Sequence, residues 1–140
     1  GIDYFAVNKR HFRTKSKKRI ALETELLGHM RFFHEGRGVF MSVSRALMER
    51  LGAAESDAED LSTLAGLVEG VDCGAVLREL RPDEWKLSLR TGANGRVNAT
   101  EACRLLGGGG HAMAAGATLT GSLEQVKEQV LRAVDAVKRE

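Results

Sequence analysis

The chain has 140 residues, 43% hydrophobic and 29% charged, with a formal net charge of +2. That length suits one domain able to bury about two-thirds of the surface its unfolded form exposes. The composition is ordinary globular usage, no apolar run is long enough to span a bilayer, no secretory signal is legible, and the charge alone does not mark a nucleic-acid binder.

The chain opens in mid-pattern at Gly1 with IDYFAVNKRHF, and reads as the carboxy-terminal part of a longer protein. Lys9, Arg10, Arg13, Lys15, Lys17, Lys18 and Arg19 face a single acid, Asp3, across the first twenty residues. Such a run can contact a nucleic-acid backbone, and reads more simply as a solvated face. The local pattern predicts a helix, a basic turn, then a second helix from Lys17 to Gly28, N-capped by Ser16 and carrying Leu22 and Leu26. MRFFHEGRGVFMSVS predicts a hairpin that turns through Glu35-Gly36-Arg37-Gly38. In its second arm Val39, Met41 and Val43 alternate with Phe40, Ser42 and Ser44. His34 and Glu35 match no metal-ligand spacing and read as surface residues.

Arg45 to Leu51 predicts a short helix stopped by Gly52. Ser56 and Glu59 then read as a capping box, and Leu61, Leu64, Ala65 and Val68 recur at helical spacing. These predict an amphipathic helix ending at Gly70, whose acids favour its dipole rather than form a catalytic cluster. Val71 to Leu80 reads as a central strand, and Arg81-Pro82-Asp83 turns the chain. Glu84 to Arg90 has the cleanest alternation, with Trp85, Leu87 and Leu89 on one face and Lys86, Ser88 and Arg90 on the other. Together the two strands predict a second hairpin.

The loop from Thr91 to Arg96 suggests a P-loop only superficially, because no Gly-Lys-Ser/Thr follows. Asn98 and Glu101 cap a helix whose stripe is Ala99, Ala102, Cys103 and Leu106. Cys103 on that stripe reads as a buried thiol. Cys73 and Cys103 form no Cys-x-x-Cys pair, which excludes a zinc knuckle and leaves a disulfide unsupported; a reducing, cytoplasmic setting is the simpler inference. Beyond the glycines, Ala117 to Thr120 reads as a strand, and Ser122 with Gln125 caps a last helix carrying Leu123, Val126, Val130, Val134 and Val137. The whole is an α/β fold, one compact domain with a mixed β-sheet and flanking helices.

The stretch GGGGHAMAAGAT, Gly107 to Thr118, carries the functional signal. Four glycines allow positive φ and close approach to a ligand, and successive N–H groups in such a turn form an anion-binding concavity. A helix starting just after the run would add a positive dipole end, with His111 at the mouth to bind a phosphate oxygen or shuttle a proton. A glycine run also occurs as a flexible loop, and a lone histidine as a structural one. Ser88 and Arg90 leave the sheet opposite Trp85, one short helix before this run, so hydroxyl, guanidinium, glycines and imidazole can converge on one phosphate. Taken alone, Arg90 reads equally as a surface charge ending a strand. The four histidines (His11, His29, His34 and His111) are scattered, and no metal-ligating or catalytic cluster is legible.

The segment LSLRTGANGRVNATEACRLL followed by GGGGHAMAAG closely resembles the DHH-associated C-terminal domain of the DHH-family phosphoesterases. The steps Ser88-Leu89-Arg90, Val97-Asn98 and Gly108 to Gly116 match that family's pattern, and ERLGAAESDAEDLSTLAGLVEGVDCGAVLREL resembles its bifunctional oligoribonuclease / pAp phosphatase branch. The resemblance implies a separate N-terminal domain bearing an Asp-His-His motif and two manganese ions, with this chain gripping the nucleotide. It assigns substrate contacts to Ser88, Arg90, Asn98, Gly108, Gly109, Gly110 and His111, and no metal ligand to this chain. Residues 1–35 would then be linker and connecting helices, and 36–140 the substrate-binding domain. The implied substrates are short oligoribonucleotides, pAp or a cyclic dinucleotide, with the N-terminal domain and a second copy of the chain among the candidate partners and no membrane. Activity of the chain by itself is left open. Two other readings stand beside this one: a non-catalytic nucleic-acid-binding module of the kind appended to alanyl-tRNA synthetases, and a dimerisation domain whose glycines only permit tight packing.

Overall fold

The computed structural model describes residues 14–111 and 113–139. The expected first helix and the cations Lys9, Arg10 and Arg13 lie outside these residues. The described chain runs α1 (Lys17–Gly28), β1 (Arg31–Phe33), β2 (Gly38–Val43), α2 (Arg45–Leu51), a 3₁₀ turn (Glu55–Ala58), α3 (Ser62–Ala65), β3 (Cys73–Arg81), β4 (Glu84–Thr91), α4 (Ala99–Leu105), β5 (Gly109–Gly110), β6 (Ala114–Thr120) and α5 (Leu123–Val137). The strands form one mixed sheet in the order β1-β2-β3-β4-β6-β5. This is the α/β architecture the sequence predicts. No described helix is long and apolar enough to cross a membrane.

Both hairpins form where expected, β1 with β2 and β3 with β4. The first turn needs left-handed backbone at His34, Glu35 and Gly36, and the second at Asp83. β2 and β3 pair in parallel, so the chain between them must cross over one face of the sheet. That crossover decides what each face becomes. On one face Phe40, Ala75, Leu77, Trp85, Leu87, Leu89 and Leu119 pack against α4 and α5 through Ala102, Cys103, Val126, Val130 and Val134. On the other, Val39, Met41, Val43 and Val76 pack against Leu22 and Leu26 of α1 and against Leu61, Leu64 and Ala65 of the crossover. Burying each of these leucines contributes about 1.5–3 kcal/mol. The predicted caps at Ser16 and Asn98 hold, each accepting a hydrogen bond from the third following N–H, and Ser122 and Gln125 form a reciprocal capping box; Ser44 caps α2 in the same way, which the sequence reading did not name.

Two expectations are corrected. The predicted helix from Ser56 to Gly70 is instead a 3₁₀ turn, a break, and one helical turn. Ser56 and Glu59 make no capping box; the Asp57 carboxylate accepts from the Ala54 N–H at 2.8 Å and from the Ser16 hydroxyl at 2.7 Å. The Arg19 guanidinium donates to the carbonyls of Asp57 and Glu59, and Asp60 takes a left-handed φ of 56°. With Glu59 extended and Asp60 left-handed, the i+4 ladder of a helix cannot pass this point. The apolar stripe is still buried, with Leu61, Leu64 and Ala65 at 4% exposure or less. The second correction concerns the glycines. No helix starts after them, and β6 begins at Ala114 rather than Ala117. Gly107, at φ 84°, closes α4 in a Schellman motif: its N–H bonds the Arg104 carbonyl, and the Gly108 N–H bonds that of Cys103. The glycine run then continues as β5 and hairpins onto β6.

Candidate functional site

The site lies on the face of β4 that the crossover covers only in part. The register places Ser88 across from Val76 on one side and Gly116 on the other, and Gly109 pairs in turn with Gly116. Arg90 lies across from Gly74 and Ala114, and Lys86 from Arg78 and Thr118. Lys86, Ser88 and Arg90 therefore form one stripe along β4, opposite the buried Trp85, Leu87 and Leu89. A one-residue slip would bury the cations and expose the tryptophan, so the apolar face holds this stripe in place.

Arg90 crosses toward the crossover segment. Its Cδ occupies the space a Cβ on Gly66 would need, so the glycine makes room for the arginine. The Arg90 Nε is buried and has no hydrogen-bond partner among the described residues. A buried guanidinium N–H without an acceptor is costly, and an anionic ligand would relieve that cost. Neither Arg90 nor Lys86 has a carboxylate partner among the described residues, whereas Arg78 pairs with Glu55 at 2.9 Å. Positive charge is thus left unneutralised along β4.

The glycine hairpin flanks this stripe. A Cβ on Gly108 would strike the Gly116 carbonyl, and one on Gly110 the backbone of Ala114 and Ala115, so these glycines let β5 lie tight on β6. β5 ends the sheet, and its outer backbone groups have no strand partner among the described residues. His111 sits at the hairpin tip, exposed, its N–H bonded to the Ala114 carbonyl at 2.8 Å. The tip is tied to the end of the stripe because the Thr91 N–H donates to the Met113 carbonyl at 2.9 Å.

The structure thus brings Ser88 and Arg90 together on one face, with Gly108, Gly109, Gly110 and His111 along the adjoining edge. Asn98 is placed differently. It opens α4, which packs on the opposite face, and its Oδ1 accepts from the Glu101 N–H at 3.1 Å. The segment joining Arg90 to Asn98 is anchored by buried Asp72, whose carboxylate accepts from Asn94 Nδ2 at 2.6 Å and faces Lys138 at 3.4 Å. Beyond Ser88 the stripe enters an open cavity of about 400 Å³ between the sheet and residues 55–62. Sequence reasoning passed over Gly66, Lys86 and that cavity wall. Gly66, inside a predicted helix, was the one available signal.

The thiols play no part here. Burial pushes Cys73 up to about 12 and Cys103 up to about 11, with the Asp72 carboxylate adding to the effect at Cys73. Both are buried and reduced. Among the described residues, no three His, Cys, Asp or Glu side chains come together as a metal-ligand set.

Comparison with known proteins gives consistent matches. Residues 47–140 match the DHHA1 domain. Over 103 residues the chain is 43% identical to the bifunctional oligoribonuclease and PAP phosphatase NrnA of Thermus thermophilus, covering 73% of this chain and 30% of that protein. The chain therefore spans about a third of its curated relative. Among solved structures, an exopolyphosphatase-related protein from Bacteroides fragilis superposes with a TM-score of 0.81 at 22% identity, over 97% of this chain and 39% of that one. The pGpG-specific phosphodiesterase PggH from Vibrio cholerae superposes with a TM-score of 0.60 at 12% identity, over 86% of this chain and 40% of that one. At those identities the two structures show a shared fold.

Proposed function

The chain belongs to the DHHA1 domain family, and from that premise we propose that it is the substrate-gripping part of a phosphoesterase acting on short oligoribonucleotides, pAp or cyclic dinucleotides. The observation that carries this reading is the buried Arg90 Nε, unpartnered among the described residues, on the crossover side of β4, in a row with Ser88 and beside the glycine hairpin. The planar guanidinium holds phosphate in two places, and each charge-assisted hydrogen bond contributes about 1.5–3 kcal/mol. Ser88 adds a neutral donor, the free edge of β5 offers backbone N–H groups, and the exposed His111 imidazole donates to a phosphate oxygen or moves a proton there. The 43% identity to an oligoribonuclease and PAP phosphatase supports the choice of substrates.

Hydrolysis is assigned to a preceding Asp-His-His domain, where bound manganese would activate water and polarise the phosphate ester. The described residues offer no ligand set for such ions, so no step within this chain is routed through them. This chain's part is to bind, orient and hold the phosphate. The test is phosphate release from pAp with manganese, comparing the full-length protein with the 140-residue chain. Activity confined to the longer form is expected. No activity in either, on pAp or on short RNA, would instead favour a non-catalytic binding module.

A further inference from the structure

Gly66 lies where the crossover meets β4, and its backbone does not require a glycine. Its φ of −70° and ψ of −14° are right-handed helical values that every L residue adopts. Space is what excludes a side chain. A Cβ at this position would lie 2.6 Å from Arg90 Cδ. Its other contacts, the Thr63 carbonyl at 3.5 Å and Arg90 Nε at 3.6 Å, would be ordinary van der Waals distances. A second glycine completes the arrangement. Gly74 is across from Arg90 in the register of β3 and β4, and a Cβ there would strike the methyl of Ala65. Gly74 therefore lets the fully buried Ala65 rest directly on the sheet, which brings the next residue, Gly66, down over the arginine stem. An arginine gives up rotamer freedom when it binds a ligand, and a stem already held in place gives up less.

We propose that Gly66 is a positioning residue for nucleotide binding: the missing side chain at this position sets the course of the Arg90 stem and so the place of its guanidinium. The proposal rests on the phosphate-gripping role of Arg90. A methyl group at position 66 would meet the movable part of a long side chain rather than backbone, so the fold accommodates it and the arginine is what shifts. The positive charge stays, but the planar guanidinium leaves its place. Two-point contact with phosphate depends on that place.

The test is the full-length Gly66→Ala protein, with pAp affinity and a thermal melt measured on the same sample. Affinity is expected to fall about tenfold, the value of one charge-assisted contact. The melting temperature is expected to stay or rise, because alanine favours helical backbone over glycine. A packing role alone would do the opposite, lowering the melting temperature and sparing affinity. In the Arg90→Ala background, Gly66→Ala is expected to change affinity no further, since the side chain it acts through is gone. Unchanged affinity in the single variant, a lowered melting temperature, or an equal loss in the Arg90→Ala background would overturn the proposal. Arg90→Ala by itself separates the two readings. If it leaves pAp binding intact, the grip is misplaced; if it weakens binding and Gly66→Ala does not, only the positioning role falls.

Discussion

Arg90 is the residue where stability and function part most clearly. Gly66 of the crossover gives it room, and no described residue offers an acceptor for its buried Nε. Truncation therefore removes little that holds the fold together. Arg90→Ala is expected to change stability by less than about 1 kcal/mol, since the loss is side-chain packing rather than an ion pair. The same change should weaken nucleotide binding by about 2 kcal/mol, roughly thirtyfold in Kd. Titration calorimetry with pAp alongside a thermal melt of the same sample separates the two quantities. Unchanged affinity would take Arg90 out of the site, and a large drop in melting temperature would make it a structural residue. That Arg90 and Ser88 share a face was legible because Trp85, Leu87 and Leu89 fix the register of β4. That Arg90 lies over Gly66 was not, since the contact joins residues 24 positions apart through the crossover.

At the scale of elements, the crossover between β2 and β3 shows how a distant side chain overrides a local pattern. Ser56, Glu59 and the following stripe satisfy the rules for a capped amphipathic helix, and the apolar residues do reach the core. The break at Glu59 and Asp60 is held by Arg19 from α1, whose guanidinium bonds the carbonyls of Asp57 and Glu59 while its Nε pairs with Glu23 at 2.8 Å. Glu23 is 8% exposed and is also bonded by Lys15 at 2.8 Å. Burial by itself would raise its carboxyl, but the hydrogen bonds and charges of Lys15 and Arg19 outweigh this and hold it below its ordinary 4.5. A carboxylate with a lowered folded pKa stabilises the fold above its unfolded value, and that contribution disappears as pH falls through the folded value. Arg19→Ala is therefore expected to cost about 2 kcal/mol at neutral pH. The cost should shrink at acid pH, as Glu23 protonates below its ordinary range and the ion pair with Arg19 is lost. Urea unfolding of both proteins at the two pH values checks this, and a cost independent of pH would show that the carbonyl bonds alone matter. The glycine run departs from its expected form because its local sequence is ambiguous. Its composition fits a helix-start anion loop and an edge hairpin equally well, and only the Schellman closure at Gly107 with the pairing to Gly116 decides between them.

For the molecule as a whole, the decisive property is asymmetry. The sheet is covered on both faces around β2 and β3, whereas over β4 the crossover covers the second face only in part. The strand order was beyond sequence reasoning, because nothing local to β2 and β3 announces that they pair in parallel, yet that pairing is what sends the crossover over one half of the face. The result is a gradient of local stability running across the site. β3 is paired on both sides, with Ala75, Val76 and Leu77 at 2% exposure or less, so its amides should exchange with solvent only through global unfolding. β5, two residues long and at the sheet edge, should open locally and exchange fast, together with the tip around His111. A ligand stabilises every globally exchanging amide by the same mass-action amount, but slows a locally opening one only where it makes contact. Hydrogen–deuterium exchange of the full-length protein, with and without a diribonucleotide, is therefore expected to show slow β3 amides and a ligand-dependent slowing at residues 108–111 far greater than at β1, the opposite edge. Equal slowing at both edges would mean that the ligand only stabilises the fold globally, and the glycine hairpin would lose its place in the site.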